Sequence, residues 1–274
     1  MPGAVLSAMM AGMAIRVGVF GAAGRMGRMV CAAVCDDPEL ELVAAVDPHH
    51  EGLDLRSVTG VDCDLHIGMD GGTLADAGAA VAVDFTVAAG ARENLHWCAE
   101  NGVHAVVGTT GLGGDDLAEL REVFTTSNCV VAPNFAIGAV LMMRFAELAA
   151  PWFPTAEIIE LHHELKVDAP SGTAMLTADR MATASGDWAD DPTVDHVVEG
   201  ARGGRGPGGI PVHSVRLRGL IAHQEVLLGT TGQSLTIRHD SFDRSSYIPG
   251  VLLAVKAVAD RPGLTVGLDE ILGL

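Results

Sequence analysis

Ala14-Ile-Arg-Val-Gly-Val-Phe-Gly21-Ala-Ala-Gly24-Arg-Met-Gly27 is the stretch that decides the fold. It opens with a short apolar run rich in β-branched residues, which predicts a buried strand over Ala14 to Phe20. Glycines spaced GxxGxxG follow. Arg25 to Cys35 then carries Met26, Met29, Val30, Ala33 and Val34 on one side of a helix that Pro38 closes off. A strand, a glycine turn and a helix start in this order allow a tight turn and close approach of backbone to a pyrophosphate. The helix N-terminus then faces the negative charge.

Working outward, strand and helix alternate. Strands are expected at Leu40 to Val46, Val81 to Phe85, Val103 to Val107 and Cys129 to Ala132, with helices at Ala91 to Asn101 and Asp115 to Thr125. That alternation predicts an α/β fold, a Rossmann-type parallel sheet with helices on both faces. Ligands of such sheets sit at the carboxyl ends of the strands. Candidate cofactor-binding residues are therefore Gly21, Ala22, Gly24, Arg25, Met26 and Gly27 in the first loop. Asp47, at the end of the second strand, is placed for a ribose diol. Phe85, Thr86, Gly108, Thr109, Thr110, Ala132, Pro133, Asn134 and Phe135 follow the later strands. An acid at Asp47, with Pro48-His49-His50 after it and no arginine, favours NADH, although Arg25 or a protonated histidine could hold NADPH. His49 and His50 read as a solvated loop, because no third metal ligand is near.

After Phe135 the pattern changes to a mixed, partly antiparallel sheet with helices. Helices are expected at Ala139 to Ala150, Thr173 to Ser185 and Tyr247 to Val258. Strands are expected at Glu157 to His162, His213 to Arg218, Glu225 to Gly229 and Ser234 to His239. The glycine-rich stretch Gly200 to Pro211 reads as a mobile loop outside the core.

The chain has 274 residues and a formal net charge of -18. Strong acidity argues against nucleic acid and anionic membrane surfaces as partners, but a local basic site can still take an anionic small molecule. Five cysteines without a CxxC pair fit reduced thiols in the cytoplasm, with Cys31 and Cys35 as packing residues. Residues 1 to 12 do not read as a secretory signal; they form an extension, or translation starts at Met13. No apolar run is long enough to span a bilayer.

The chemistry concentrates in Glu160-Leu-His-His-Glu-Leu-Lys-Val-Asp-Ala-Pro-Ser-Gly-Thr-Ala174. Lys166 is one of two lysines, the other being Lys256, among 17 basic residues. Unlike arginine, a lysine can be tuned to give up a proton. His162 and His163 are natural general acids, and a flanking ammonium would ready one of them to release its proton. Ser171 is placed to cap a helix whose first N–H groups, at Gly172 and Thr173, can hold a carboxylate.

GAAGRMG, VDFT, GTTG, APNFAIG, ELHHELKVDAPSGTA, ARGGRGPGGIPVHSVR and LTIRHDSFDR occur in this order. Together, from about Ile15 onward, they resemble dihydrodipicolinate reductases of lysine and diaminopimelate synthesis. Ala222-His-Gln224 departs from the Gly-Glu-His common there, so His223 receives no role. The resemblance implies a nucleotide-binding domain from residues 1–133 and 246–274. It implies a substrate and tetramerisation domain from 134–245, a homotetramer, and domain closure about Asn134 and Ser245. The implied reaction uses NADH or NADPH to reduce a cyclic unsaturated dicarboxylate to tetrahydrodipicolinate. The implied catalytic residues are His162 and Lys166, with His163, Lys166, Ser171, Gly172 and Thr173 binding the carboxylates. No metal is implied. The alternatives are another aspartate-pathway Rossmann dehydrogenase and a non-catalytic NADH-binding regulator. The first would not need the HHxxK cluster beside an S-G-T turn, or would need an activated cysteine. The second would need neither His162 nor Lys166.

Overall fold

The structure, a computed structural model, describes residues 14–274. The expectations for residues 1 to 12 and Met13 lie outside the described residues. In chain order the strands are β1 (Ile15–Phe20), β2 (Leu40–Val46), β3 (Val81–Asp84), β4 (His104–Val107), β5 (Cys129–Val131), β6 (Thr155–His162), β7 (Gly204–Arg205), β8 (Pro211–Arg216), β9 (Ala222–Thr230), β10 (Gln233–Ser241) and β11 (Leu264–Val266). The longer helices are α1 (Arg25–Asp36), α2 (Ala88–Glu100), α3 (Gly114–Val123), α4 (Ile137–Ala149), α5 (Gly172–Ala184) and α6 (Ile248–Ala257). The described residues divide into two compact units, one from residues 14–135 with 247–273 and one from 136–246 with 274.

The first unit holds a six-stranded sheet in the order β11-β5-β4-β3-β1-β2, parallel throughout. Every residue of β3 and of β5 is buried, as expected for strands covered on both faces. The core includes Phe20, Leu74, Leu95, Val107 and Phe124. α1 starts where Gly24 leaves the extended region. α2 starts earlier than expected and ends before Gly102, whose φ of 68° supplies the left-handed stop. Four short elements carry too little periodicity to be read from sequence: Leu55–Thr59, Gly72–Asp76, β11 and Asp269–Leu272.

β11 matters most among these, because it pairs Leu264, Thr265 and Val266 with Cys129, Val130 and Val131. Asn128 docks the same C-terminal segment. Its Nδ2 donates to the carbonyls of Val258 and Ala259, both at 2.9 Å, and its Oδ1 accepts from the Gly263 N–H at 3.2 Å. Lys256 adds an ion pair to Asp37 at 2.8 Å and another to Glu39.

The second unit is a five-stranded mixed sheet in the order β10-β9-β6-β8-β7. β6 runs antiparallel to β9 and parallel to β8. Ala146, Ile158, Ala178, Met181, Ile210, Val212, Val226 and Leu228 form its core. The expectation of a mobile loop over Gly200 to Pro211 is corrected here. Gly204 and Arg205 pair with Val212 and Pro211, and Ile210 is only 2% exposed. Glycine content signalled tight turns, and the apolar anchor decided where the segment lies. No helix among the described residues is long and apolar enough to cross a membrane. Ile210→Ala is expected to destabilise the fold by ~2–5 kcal/mol, as for any large side chain removed from a core. Urea unfolding checks this; a loss within ~0.5 kcal/mol is what a surface loop would give.

Candidate active site

In the first unit the predicted loops gather at the carboxyl ends of β1, β3, β4 and β5. β1 lies between β2 and β3, so the strand order reverses there, where open sheets bind ligands. The first loop turns at Gly21, with φ of 70°. A Cβ on Gly27 would stand 2.0 Å from the Gly21 carbonyl oxygen, so α1 can begin this close to the turn only through glycine. Ala22 is buried and its N–H donates to Val46 at 3.0 Å, while Arg25 is exposed and Met26 is half-buried.

The loops after the later strands pack on one another. The Phe85 ring covers Gly108, where a Cβ would come within 2.1 Å of it. Phe85 and Phe135 are 5.8 Å apart, tilted by 54°. Thr86 and Thr109 both donate to the Asp84 carboxylate. Ala132 is buried, Pro133 and Thr110 are exposed, and Asn134 is half-buried. Asp47 caps the short turn Pro48–His50. Its Oδ1 accepts from the His49 N–H at 3.1 Å and meets His50 Nδ1 at 3.0 Å, so His50 hydrogen-bonds the carboxylate while remaining partly exposed. Asp47 Oδ2 makes no hydrogen bond among the described residues, which leaves an acceptor open for a ribose hydroxyl. The glycine turn and this acceptor fit a dinucleotide.

In the second unit the centre is Glu160, which sequence reasoning missed. It lies two residues before His162 on β6, so both side chains share a face. Its side chain is fully buried. Oε2 receives His162 Nδ1 at 2.6 Å and one Arg216 nitrogen at 2.9 Å. Oε1 receives the other Arg216 nitrogen at 2.8 Å and the Ser171 N–H at 3.2 Å. Arg216 faces His162 across the parallel pair β6–β8. Burial pushes the Glu160 carboxyl up, but hydrogen bonds from His162, Arg216 and Ser214 outweigh it and hold the group at about 2. With Nδ1–H committed to a carboxylate, His162 has Nε2 left for proton transfer.

Ser171 caps α5, its hydroxyl accepting from the Ala174 N–H at 3.2 Å. Gly172 is the first residue of the helix, so its N–H has no intrahelical acceptor. Thr173 follows and accepts from the Thr177 hydroxyl at 2.7 Å. His163 is half-buried and its carbonyl accepts from the Lys166 N–H at 3.1 Å. The expectation of an ammonium flanking the histidine is corrected. Lys166 Nζ lies on both Asp168 oxygens at 2.8 Å, and the charge His162 touches is a carboxylate. His223, given no role, is buried on Asp240 at 2.6 Å and accepts from the Ile221 N–H, a satisfied core histidine. No group of three metal-ligating side chains occurs among the described residues.

A parallel sheet with a glycine turn at its switch point, joined in one chain to a buried carboxylate–histidine pair at a helix start, defines a Rossmann-fold, pyridine-nucleotide-dependent oxidoreductase. The profile described as dihydrodipicolinate reductase, N-terminus, matches residues 15–135, and that for the C-terminus matches 138–272. A 4-hydroxy-tetrahydrodipicolinate reductase from Nocardia farcinica is 50% identical, covering 96% of this chain and 100% of its own length. One from Corynebacterium urealyticum is 46% identical over 95% and 99%. The solved dipicolinate-bound dihydrodipicolinate reductase from Paenisporosarcina sp. TG-14 is 40% identical with a TM-score of 0.82, covering 94% and 100%. The chain belongs to the dihydrodipicolinate reductase family.

The Glu160 carboxyl, ordinarily near 4.5, is depressed in the folded protein to about 2. Its contribution to stability is therefore complete above about 4.5 and is lost as pH falls toward about 2. Glu160→Gln is expected to be less stable than wild type by ~1–3 kcal/mol at pH 7, because the half-buried Arg216 loses its anion. That difference should shrink as pH falls through this window. Urea unfolding at a series of pH values measures it, and a difference independent of pH would contradict the assignment.

Proposed function

We propose that this chain reduces 4-hydroxy-tetrahydrodipicolinate to tetrahydrodipicolinate with NADH or NADPH, in lysine and diaminopimelate synthesis. The observation that carries the reading is the buried Glu160–His162 pair beside the Ser171–Gly172 helix start. It puts a histidine next to a place for a carboxylate, as reduction of a cyclic dicarboxylate requires. The curated relatives share this activity in their names, and the Paenisporosarcina relative is described with dipicolinate bound.

Once the 4-hydroxyl and a neighbouring ring proton have left as water, a bound nicotinamide would supply the hydride to ring C4. His162 is the general acid that protonates the adjacent carbon from Nε2, while Glu160 fixes the ring's orientation through Nδ1–H. His163, Lys166, Ser171, Gly172 and Thr173 hold the substrate carboxylates, and the helix start contributes the Gly172 N–H and its positive dipole end. Lys166 also assists as a proton donor. Its present partner, Asp168, is an anion that a substrate carboxylate can replace.

Gly21, Ala22, Gly24, Arg25, Met26 and Gly27 cradle the pyrophosphate. Phe85, Thr86, Gly108 to Thr110 and Ala132 to Phe135 line the remainder of the cofactor site. The open Asp47 Oδ2 favours the ribose diol of NADH, and the exposed Arg25 leaves a route to NADPH. Residues 1–133 with 246–274 form the nucleotide-binding domain in this proposal, and 134–245 the substrate domain. The proposal extends to a cytoplasmic homotetramer. Free thiols support the location, and the exposed residues Gln233 to Thr236 of edge strand β10 support association.

The test is nucleotide oxidation in a coupled assay, with dihydrodipicolinate synthase forming the unstable substrate from pyruvate and aspartate semialdehyde. Oxidation that requires both proteins, faster with NADH than with NADPH, is expected. Absence of oxidation with either nucleotide, in a protein that binds NADH, would favour a binding regulator instead. His162→Ala is expected to lower turnover by about 10²–10⁴-fold and to leave NADH affinity intact. Unchanged turnover would remove His162 as the acid.

A further inference from the structure

Asp84 ends β3 with only 2% of its surface exposed. No lysine or arginine pairs with it among the described residues. A carboxylate this buried is costly unless hydrogen bonds replace its water. Four donors do so. Oδ1 accepts from the Thr86 N–H, the Thr86 hydroxyl and the Thr109 hydroxyl, each at 2.8 Å. Oδ2 accepts from Asn94 Nδ2 at 2.7 Å.

These donors come from three places: the loop after β3, the loop after β4, and α2. One carboxylate thus fixes the spacing of two loops that sequence and fold both put at the cofactor crevice. The clamp reaches a third loop through packing. A Cβ on Gly21 would sit 3.1 Å from Thr86 Cγ2, so the rotamer set by Asp84 also brings that methyl against the glycine turn. The clamp sets polarity as well. Each threonine hydroxyl has one proton, and the alternative acceptors, the carbonyls of Val87 and Thr86, are farther away at 3.3 and 3.2 Å. With those protons on Asp84, the hydroxyl oxygens can only accept from a ligand. They suit the O–H and N–H groups of a ribose or carboxamide and disfavour phosphate.

We propose that Asp84 is a positioning residue for nucleotide binding, holding Thr86 and Thr109 in place as hydrogen-bond acceptors, with Asn94 locking the carboxylate from α2. This rests on the nucleotide reading given above.

Asp84→Ala strands all four donors, and NADH affinity should fall about 10- to 100-fold, as expected for buried groups left unpaired. The KM for the nucleotide should rise in step, with kcat at saturating nucleotide nearly unchanged. Asp84→Asn should rescue binding. Its amide oxygen keeps the three donors, and Asn94 can turn its own amide to accept from the new NH₂. Asn94→Ala should weaken NADH binding about 3- to 10-fold. Placed in the Asp84→Asn background, it should abolish the rescue.

Binding is read by quenching of protein fluorescence with NADH, and folding by circular dichroism. A folded Asp84→Ala or Asn94→Ala protein that binds NADH as tightly as wild type overturns the proposal. If Asp84→Ala does not fold, Asn94→Ala and the double variant decide. A wild-type protein that binds neither nucleotide overturns the underlying reading as well, and is distinguished by that control alone.

Discussion

A fully buried carboxylate has to be satisfied, and in the second unit Glu160 imposes that demand on everything around the end of β6. Meeting it requires Arg216 from β8, the Ser171 N–H from the start of α5 and Nδ1 of His162. Strand register, helix position and ring tautomer are therefore not independent. Shifting β8 by one residue would turn Arg216 to the other face and leave a buried anion with one partner fewer. The same interaction that organises the sheet end also sets which histidine nitrogen is open.

The first unit uses the same device in a different setting. Asp84 is buried at the end of a strand whose neighbours are all parallel, where backbone alone leaves the loops unconnected. Glu160 relies on a guanidinium, whereas Asp84 relies on hydroxyl and amide donors. A cation here would compete for the phosphates of a dinucleotide, and neutral donors avoid that competition. Both sites use a buried charge to fix the groups around it.

The α/β alternation, the glycine turn and the mixed second sheet were legible in the sequence because each rests on local pattern: β-branched runs, glycine spacing and helical periodicity. Ser171 as a cap was legible for the same reason. What escaped was non-local. Arg216 meets Glu160 from 56 residues away, and only the register of a parallel pair brings them together. β11 has three residues and no pattern of its own; its partner strand defines it. Ile210 was hidden by the glycines around it. Glu160 itself had a readable signal, a carboxylate two residues before a histidine on a strand, but its burial was not readable. Lys166 stood out as one of two lysines, yet its partner, two residues along, was a matter of loop conformation.

The C-terminal segment has a consequence for how the molecule is made. Gly263, which opens the approach to β11, lies 135 residues after its partner Asn128. A ribosome releases residues 136–246 of the second unit between these two points. Until Leu264 to Val266 emerge, β5 has one bare edge, and until Lys256 to Ala259 emerge Asn128 has no carbonyls to meet and Asp37 has no lysine. The nascent chain thus carries a parallel sheet whose edge strand β11 follows the second sheet in the sequence, and a protein truncated before β11 keeps that edge open.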